Sequence, residues 1–326
     1  MPSETLNRPL VIATRGSALA LTQANYVQRR LQSLLPELPI KIKRFKTKGD
    51  QLQNKPQHEI PEHLPKGLFT KELENALLNG QADIAVHSLK DLPTGLPEGL
   101  KLAAVSPRED AREVLLTRHP LDLADLNANP LKALPQGAAI GTGSPRRQAF
   151  VSAGNPSLRT VLIRGNVPTR IRKLAKSPEV DAIILAAAGL RRLGYTLLNH
   201  KPLAGDDTPP DVFSTILPIQ SMIPCVAQGA IGLEARSQDP PVQAICDQFN
   251  DPHTRVCVEA ERIFLSAMGG GCQSPVAAHA KLDNGTFNFI AAKPIAGGVK
   301  IVEGKTDSSQ AKTLATELAD QLRAAS

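Results

Sequence analysis

Short apolar runs alternate with amphipathic stretches over the first two hundred residues, and this alternation restricts the fold more than any other feature. Leu10–Thr14 reads as a buried strand. Ser17 is placed to cap a helix in which Leu19, Gln23, Tyr26, Val27, Leu31, Leu34 and Leu35 fall near one face. Pro36 and Pro39 end it, and Ile40–Thr47 alternates as a strand does. Asp50 to Pro65 is polar, proline-bearing and aperiodic, a loop of the kind that often serves as a lid. A helix from about Phe69 to Asn79, with Gly80 at its C′ position, leads into the strand Asp83–Val86. Strand–helix–strand order of this kind predicts an α/β domain with a largely parallel sheet.

The pattern then recurs. Val114–Leu116, Ala139–Gly141, Thr160–Ile163 and Ala182–Leu185 are strand candidates, with helices starting near Ser144, Val167 and Ala187. A Pro-, Asp- and Gly-rich stretch up to Ser221 reads as a domain connection. From Val242 the texture changes to two helices (Val242–Phe249 and about Thr254–Ala267), a Gly-rich turn, three strands and an amphipathic helix, Ser309–Ala324, which together predict a separate α+β module. At about 150 residues per domain, 326 residues suggest two or three domains.

Charge adds a functional constraint. The chain carries +7, and the segment Gly141–Arg192 alone holds ten basic residues against two acidic ones. Eight of those ten are arginine, the side chain suited to bidentate contact with carboxylate or phosphate, so a polyanionic ligand is one reading and a solvated basic face another. Nucleic acid is disfavoured: aromatic residues are 3% of the chain, Trp is absent, and no zinc-finger or RNA-recognition signature occurs. No apolar run nears the roughly 20 residues of a membrane span, and no secretory signal precedes Arg8, so a cytoplasmic protein without membrane contact is expected. The four cysteines form no Cys-x-x-Cys pair and no histidines stand at ligand spacing, so neither a disulfide framework nor a metal site is expected.

Four segments could carry chemistry. Gly141-Thr-Gly-Ser-Pro-Arg-Arg147 joins a strand to a helix, where free N–H groups, glycines and Arg146 and Arg147 could cradle an anion or form a plain tight turn. Arg164-Gly-Asn-Val-Pro-Thr-Arg170 occupies the next such junction, so Arg146, Arg147, Arg164 and Arg170 are expected to converge at one sheet edge. Lys90 and Asp91 follow the strand Asp83–Val86; they are a surface ion pair, or a carboxylate positioned to stabilise a cation or hold a proton. Cys272, after three glycines, is an incidental thiol in a flexible turn or an unhindered nucleophile that could carry a covalent ligand. Cys225, Cys246 and Cys257 lie in apolar or helical contexts and read as core.

Taken together, these segments resemble the porphobilinogen deaminase (hydroxymethylbilane synthase) family. The resemblance is carried by Ile12-Ala-Thr-Arg-Gly-Ser17, Lys66-Gly-Leu-Phe-Thr-Lys-Glu-Leu-Glu74, Asp83-Ile-Ala-Val-His-Ser-Leu-Lys-Asp-Leu-Pro93, Gly141-Thr-Gly-Ser-Pro-Arg-Arg-Gln148, Arg164-Gly-Asn166, the run Ala182–Gly194, Gln228-Gly-Ala230 and Gly270-Gly-Cys-Gln273. It implies head-to-tail joining of four porphobilinogen molecules, with loss of ammonia, into the linear tetrapyrrole hydroxymethylbilane. It also implies a dipyrromethane cofactor held by a thioether to Cys272. The alternative with the same architecture is a non-catalytic bilobal anion-binding protein.

By the same resemblance Asp91 is the catalytic carboxylate, stabilising the cation left when the amine departs. Ser88, Lys90, Asp91, Thr142, Ser144, Arg146, Arg147, Arg164 and Gly165 are implied to bind the cofactor, and Arg15, Ser17, Lys66, Arg164, Arg170, Arg192 and Gln228 the substrate. The implied fold is α/β: two domains like those of bilobal anion-binding proteins plus a smaller α+β C-terminal domain. The expected boundaries are 1–108 plus about 214–236, then 109–213, then 237–326, in a monomer. The chain departs from the family pattern at Glu62, Leu64-Pro65, Gly143, Pro145 and Ala227.

Overall fold

The structure, a computed structural model, describes Leu6 and residues 8–53, 69–122, 129–206, 208–270 and 274–325. Most of the expected lid at 50–65 therefore lies outside the described residues, as do Lys66 and Cys272. In chain order the elements begin with β1 (Leu10–Arg15), α1 (Ala18–Leu34), β2 (Ile40–Phe45), α2 (Lys48–Gln53), α3 (Lys71–Leu78), β3 (Ile84–Ser88) and β4 (Leu100–Val105). Next come β5 (Glu113–Thr117), β6 (Ala139–Gly141), α4 (Pro145–Gly154), β7 (Arg159–Val161), α5 (Val167–Lys176), β8 (Ala182–Ala186), α6 (Ala187–Arg192), β9 (Lys201–Pro202) and β10 (Phe213–Ile216). The series closes with β11 (Ile231–Arg236), α7 (Pro240–Phe249), α8 (Pro252–Ala267), β12 (Ala277–Asp283), β13 (Thr286–Ile295), β14 (Gly298–Asp307) and α9 (Ala311–Ala324).

The chain divides into two compact units, residues 1–108 with 230–256, and residues 109–229 with 257–326. In the first, the sheet order is β2-β1-β3-β11-β4, with β2, β1 and β3 parallel and β11 antiparallel to both neighbours. In the second it is β7-β6-β8-β5-β10-β9, with β7, β6 and β8 parallel. Each parallel core follows one rule. The helix after the first strand leads to a strand on one side, and the next crossover places the third strand on the other side. The carboxyl ends of β1 and β6 are therefore topological switch points, where the two crossovers diverge and leave a crevice. The loops after them are Gly16–Ser17 and Thr142–Ser144.

Both helices that begin there are capped by the expected serine. The Ser17 hydroxyl accepts from the N–H of Ala20 at 3.3 Å, and that of Ser144 from the N–H of Arg147 at 3.4 Å. Apolar residues from α1 (Ala24, Val27, Leu31) and α7 (Val242, Ile245, Phe249) cover one face of the first sheet, and Leu73 and Leu77 of α3 the other. A third, antiparallel sheet, β12-β13-β14, carries α9 and adds Ala277 and Ala292 to the core beneath α4.

Several sequence expectations need correction. The first sheet is mixed, because β4 and β11, neither of them expected, complete it in antiparallel sense. The stretch before Ser221 contains β9 and β10, and β10 pairs with β5. Residues near 214 thus stay with the second sheet, and the chain rejoins the first only at β11. Helix α7, expected in the C-terminal module, packs in the core of the first unit. Its residues 242–249 carry the apolar face that α1 and the sheet need in order to exclude water.

Asp83, at the entrance to β3, ties this unit together. Its buried carboxylate accepts from Arg8 at 2.7 Å, from the N–H of Val11 at 2.9 Å and from Arg236 at 3.0 Å. Burial alone would favour the neutral acid, but these donors outweigh it and hold the group below the usual carboxylate range. A depressed folded value means the stabilisation is present above the ordinary range and is lost as pH falls through it. Acid unfolding of the parent is expected to show this loss, and Asp83→Asn to be less stable at neutral pH with a flatter acid limb. Equal acid sensitivity of the two proteins in thermal melts would contradict that role.

Candidate functional site

In the first unit, β1, β3 and the start of α1 form a pocket at the switch point, lined by Arg15, Ser17, Gln23, His87, Ser88 and Asp91 among others. Leu89 and Leu92, both buried, anchor the short 3-10 turn Leu89–Asp91 on either side, leaving Lys90 half-buried and Asp91 exposed at the rim. Ser88 and the Gln23 side chain are hydrogen-bonded at 2.8 Å, which fixes the pocket wall between β3 and α1. Arg15 stacks over Phe69, 4.1 Å from the ring centroid, and its Nε lies 3.2 Å from Asp50. Thr47 also donates to Asp50, at 2.8 Å. Against the effect of burial, these partners hold Asp50 below the usual carboxylate range, so Arg15 sits beside a fixed anion.

In the second unit the loops after β6 and β7 share one edge, as the sequence implies, but the arginines divide their tasks. Arg146 and Arg147, only 3% and 6% exposed, turn inward from the first turn of α4 onto opposite oxygens of the fully buried Glu113. Arg147 lies 2.8 Å from Glu113, and the other ends of the two guanidinium groups donate to the carbonyls of Ile223 and Ile184, each at 2.6 Å. The expected convergence of four arginines at an open edge therefore needs correction for this pair. Nothing in their residue type forecasts Glu113, which sits more than thirty residues upstream and meets them only through the β5–β8 pairing.

Arg164 is half-buried, and Arg170 closes on its own loop through a 2.7 Å bond to the Gly165 carbonyl. Gly165 has φ +116°, and a Cβ there would stand 2.9 Å from the Thr169 side chain, so glycine is required for this turn. Thr142 is buried and accepts from the N–H of Ser144 at 3.2 Å. Arg192, at the end of α6, donates to the Gly229 carbonyl at 2.6 Å. Gln228, buried, donates to the Ala111 carbonyl at 2.8 Å. Ala227 beside it has φ +59°, a left-handed conformation that glycine adopts more readily, and its N–H donates to Glu261 at 2.6 Å.

The described flanks of the Cys272 loop show how it leaves α8. Gly269, at φ +66°, and Gly270, whose N–H donates to the Leu265 carbonyl, end the helix in a left-handed cap. Of the other cysteines, Cys246 is buried and its thiol is pushed up to about 12 by burial, Cys257 is buried, and Cys225 is half-buried rather than core. Among the described residues no group of side chains could hold a metal ion, and no helix is long and apolar enough to cross a membrane.

Two switch-point sites furnished with cations, hydroxyls and helix N-termini define the class: an α/β protein suited to an organic polyanion. Sequence comparison supplies the particular family. Residues 10–244 match the model of the porphobilinogen deaminase dipyrromethane cofactor binding domain, and residues 255–324 that of the porphobilinogen deaminase C-terminal domain. A porphobilinogen deaminase of Syntrophomonas wolfei is 43% identical over 97% of this chain and 95% of its own. That of Geobacter sulfurreducens is 43% identical over 88% and 82%, and that of Chloroherpeton thalassium 35% over 98% and 96%. The chain belongs to the porphobilinogen deaminase family, transferases of tetrapyrrole biosynthesis that work with a dipyrromethane cofactor.

The residues present fit such a cofactor. Its acetate and propionate groups match the donors at the β6 and β7 edge, where the Ser144 hydroxyl and the half-buried Arg164 stand beside the N-terminus of α4.

Proposed function

We propose that the Asp91 pocket is where porphobilinogen is deaminated and joined to the growing chain, in a monomeric cytoplasmic enzyme that releases hydroxymethylbilane. The observation that carries this reading is the position of Asp91: a carboxylate at the rim of a switch-point pocket, on a turn whose two neighbouring leucines are anchored in the core. There the carboxylate can accept from pyrrole N–H groups and stabilise the positive charge that develops as the amine leaves. Arg15 and Ser17, on the same pocket, hold the substrate carboxylates, with Lys66, Arg170, Arg192 and Gln228 extending that set. Ser88, Lys90, Thr142, Ser144, Arg164 and Gly165 hold the cofactor.

When bound through Cys272, the dipyrromethane supplies the pyrrole terminus that receives the first unit. Arg146 and Arg147 support the loop after β6 from beneath: with Glu113 neutralising one of their two charges, the cluster retains a net positive charge below the N-terminus of α4. Mass spectrometry of the intact purified protein is expected to find two pyrrole units beyond the sequence mass, lost in Cys272→Ser together with conversion of porphobilinogen. An unmodified protein with full activity would overturn the reading.

A further inference from the structure

One buried ionisable pair has no part in these roles. His87, near the carboxyl end of β3, is 5% exposed, and its Nε2 lies 2.9 Å from Oε2 of Glu234, which is fully buried on β11. In the antiparallel register His87 stands opposite Gly232 and Ala85 opposite Glu234, so carboxylate and imidazole are diagonal neighbours on one sheet face. That face is otherwise packed with Ala85, Leu73 and Leu77, where an apolar pair would avoid the cost of desolvating charge. The other oxygen of Glu234 is buried with no partner. His87 lines the same pocket as Asp91.

We propose that His87 is the base of the condensation step and that Glu234 is its positioning residue. The inference rests on the placement of the reaction in the Asp91 pocket. In each addition the C–N bond of the aminomethyl group, protonated as the ammonium, breaks, and its electron pair leaves with nitrogen as ammonia. The α-carbon of the receiving pyrrole then forms a C–C bond to the cationic methylene. The C–H bond at that α-carbon breaks, its pair restores the aromatic ring, and the proton passes to Nδ1 of His87 and from there to water or ammonia. With Nε2–H donating to Glu234, the lone pair is left on Nδ1, the arrangement a general base requires.

Among the described residues the charged groups near His87 are Glu234 from β11 and Glu74 from α3, with Asp91 and Arg15 lining the same pocket. Burial pushes the Glu74 carboxyl up, and the Glu234 charge adds to it.

The test uses the cofactor-loaded enzyme with His87→Gln and Glu234→Gln. His87→Gln is expected to keep the two-pyrrole mass adduct and a KM within about twofold, while kcat falls about 10²- to 10³-fold and its solvent deuterium isotope effect rises. Glu234→Gln is expected to lower kcat about tenfold at unchanged KM. Nitrogen-15 NMR should find the His87 proton on Nε2 in the parent and shared between tautomers in Glu234→Gln. A His87→Gln kcat within threefold of the parent, or a proton on Nδ1, overturns the proposal, as does loss of Tm and KM in step with kcat. If His87→Gln does not accumulate folded, the Glu234→Gln kcat and tautomer decide. Failure of the pocket reading is distinguishable, because Asp91→Asn would then retain activity as well.

Discussion

Asp91→Asn is expected to fold as the parent does, to load its cofactor and to lose about 10³-fold in kcat. The expectation of normal folding follows from the burial pattern of the turn. Leu89 and Leu92 are 1% and 2% exposed and carry the packing, whereas Asp91 is exposed. Changing a carboxylate to an amide keeps its shape and removes the charge that opposes a developing cation, a loss felt most in the transition state. Thermal melts should therefore coincide, KM should move little, and single-turnover rates should carry the defect. Wild-type kcat in this variant would remove Asp91 from the chemistry. A fall in Tm matched to the fall in rate would make it structural.

The second large effect concerns stability. Glu113 is fully buried and shared between Arg146 and Arg147, themselves almost fully buried. Glu113→Ala leaves two guanidinium groups in the interior without a counterion, a change that costs about 3–5 kcal/mol. Glu113→Gln keeps the volume and a hydrogen-bond acceptor but not the charge, and should lie between. Chemical unfolding with an unchanged m-value is the measurement, and a loss under about 1 kcal/mol for Glu113→Ala would show that the arginines find other partners. Replacing Glu113 together with both arginines by apolar residues of similar volume should cost less than Glu113→Ala alone, because no uncompensated charge remains.

These expectations indicate how far local chemistry reaches. Strands β1, β6 and β8, and the helices that start at Ser17, Ser144 and Val167, were legible because apolar period, cap residue and glycine act within a few residues of one another. Strands β4, β9, β10 and β11 were not. Gly232 interrupts β11, and Pro202 sits in β9, so local propensity opposes strand there and only pairing with β3 and β10 supplies the missing free energy. The candidate site divides in the same way. Asp91, Gly165 and the two switch-point loops were visible as strand-to-helix junctions, while His87 read as one residue of a motif, with no signal pointing to Glu234 so far along the chain.

What the amino-acid order determined unaided was the succession of strand–helix crossovers and the cationic loops between them, since both depend on neighbours in the chain. Which charges face a ligand and which are spent on the interior was decided only by the tertiary structure. A buried guanidinium must have a counterion within a few ångströms, and for Arg146 and Arg147 the folded sheet brings that counterion, Glu113, from a distant strand.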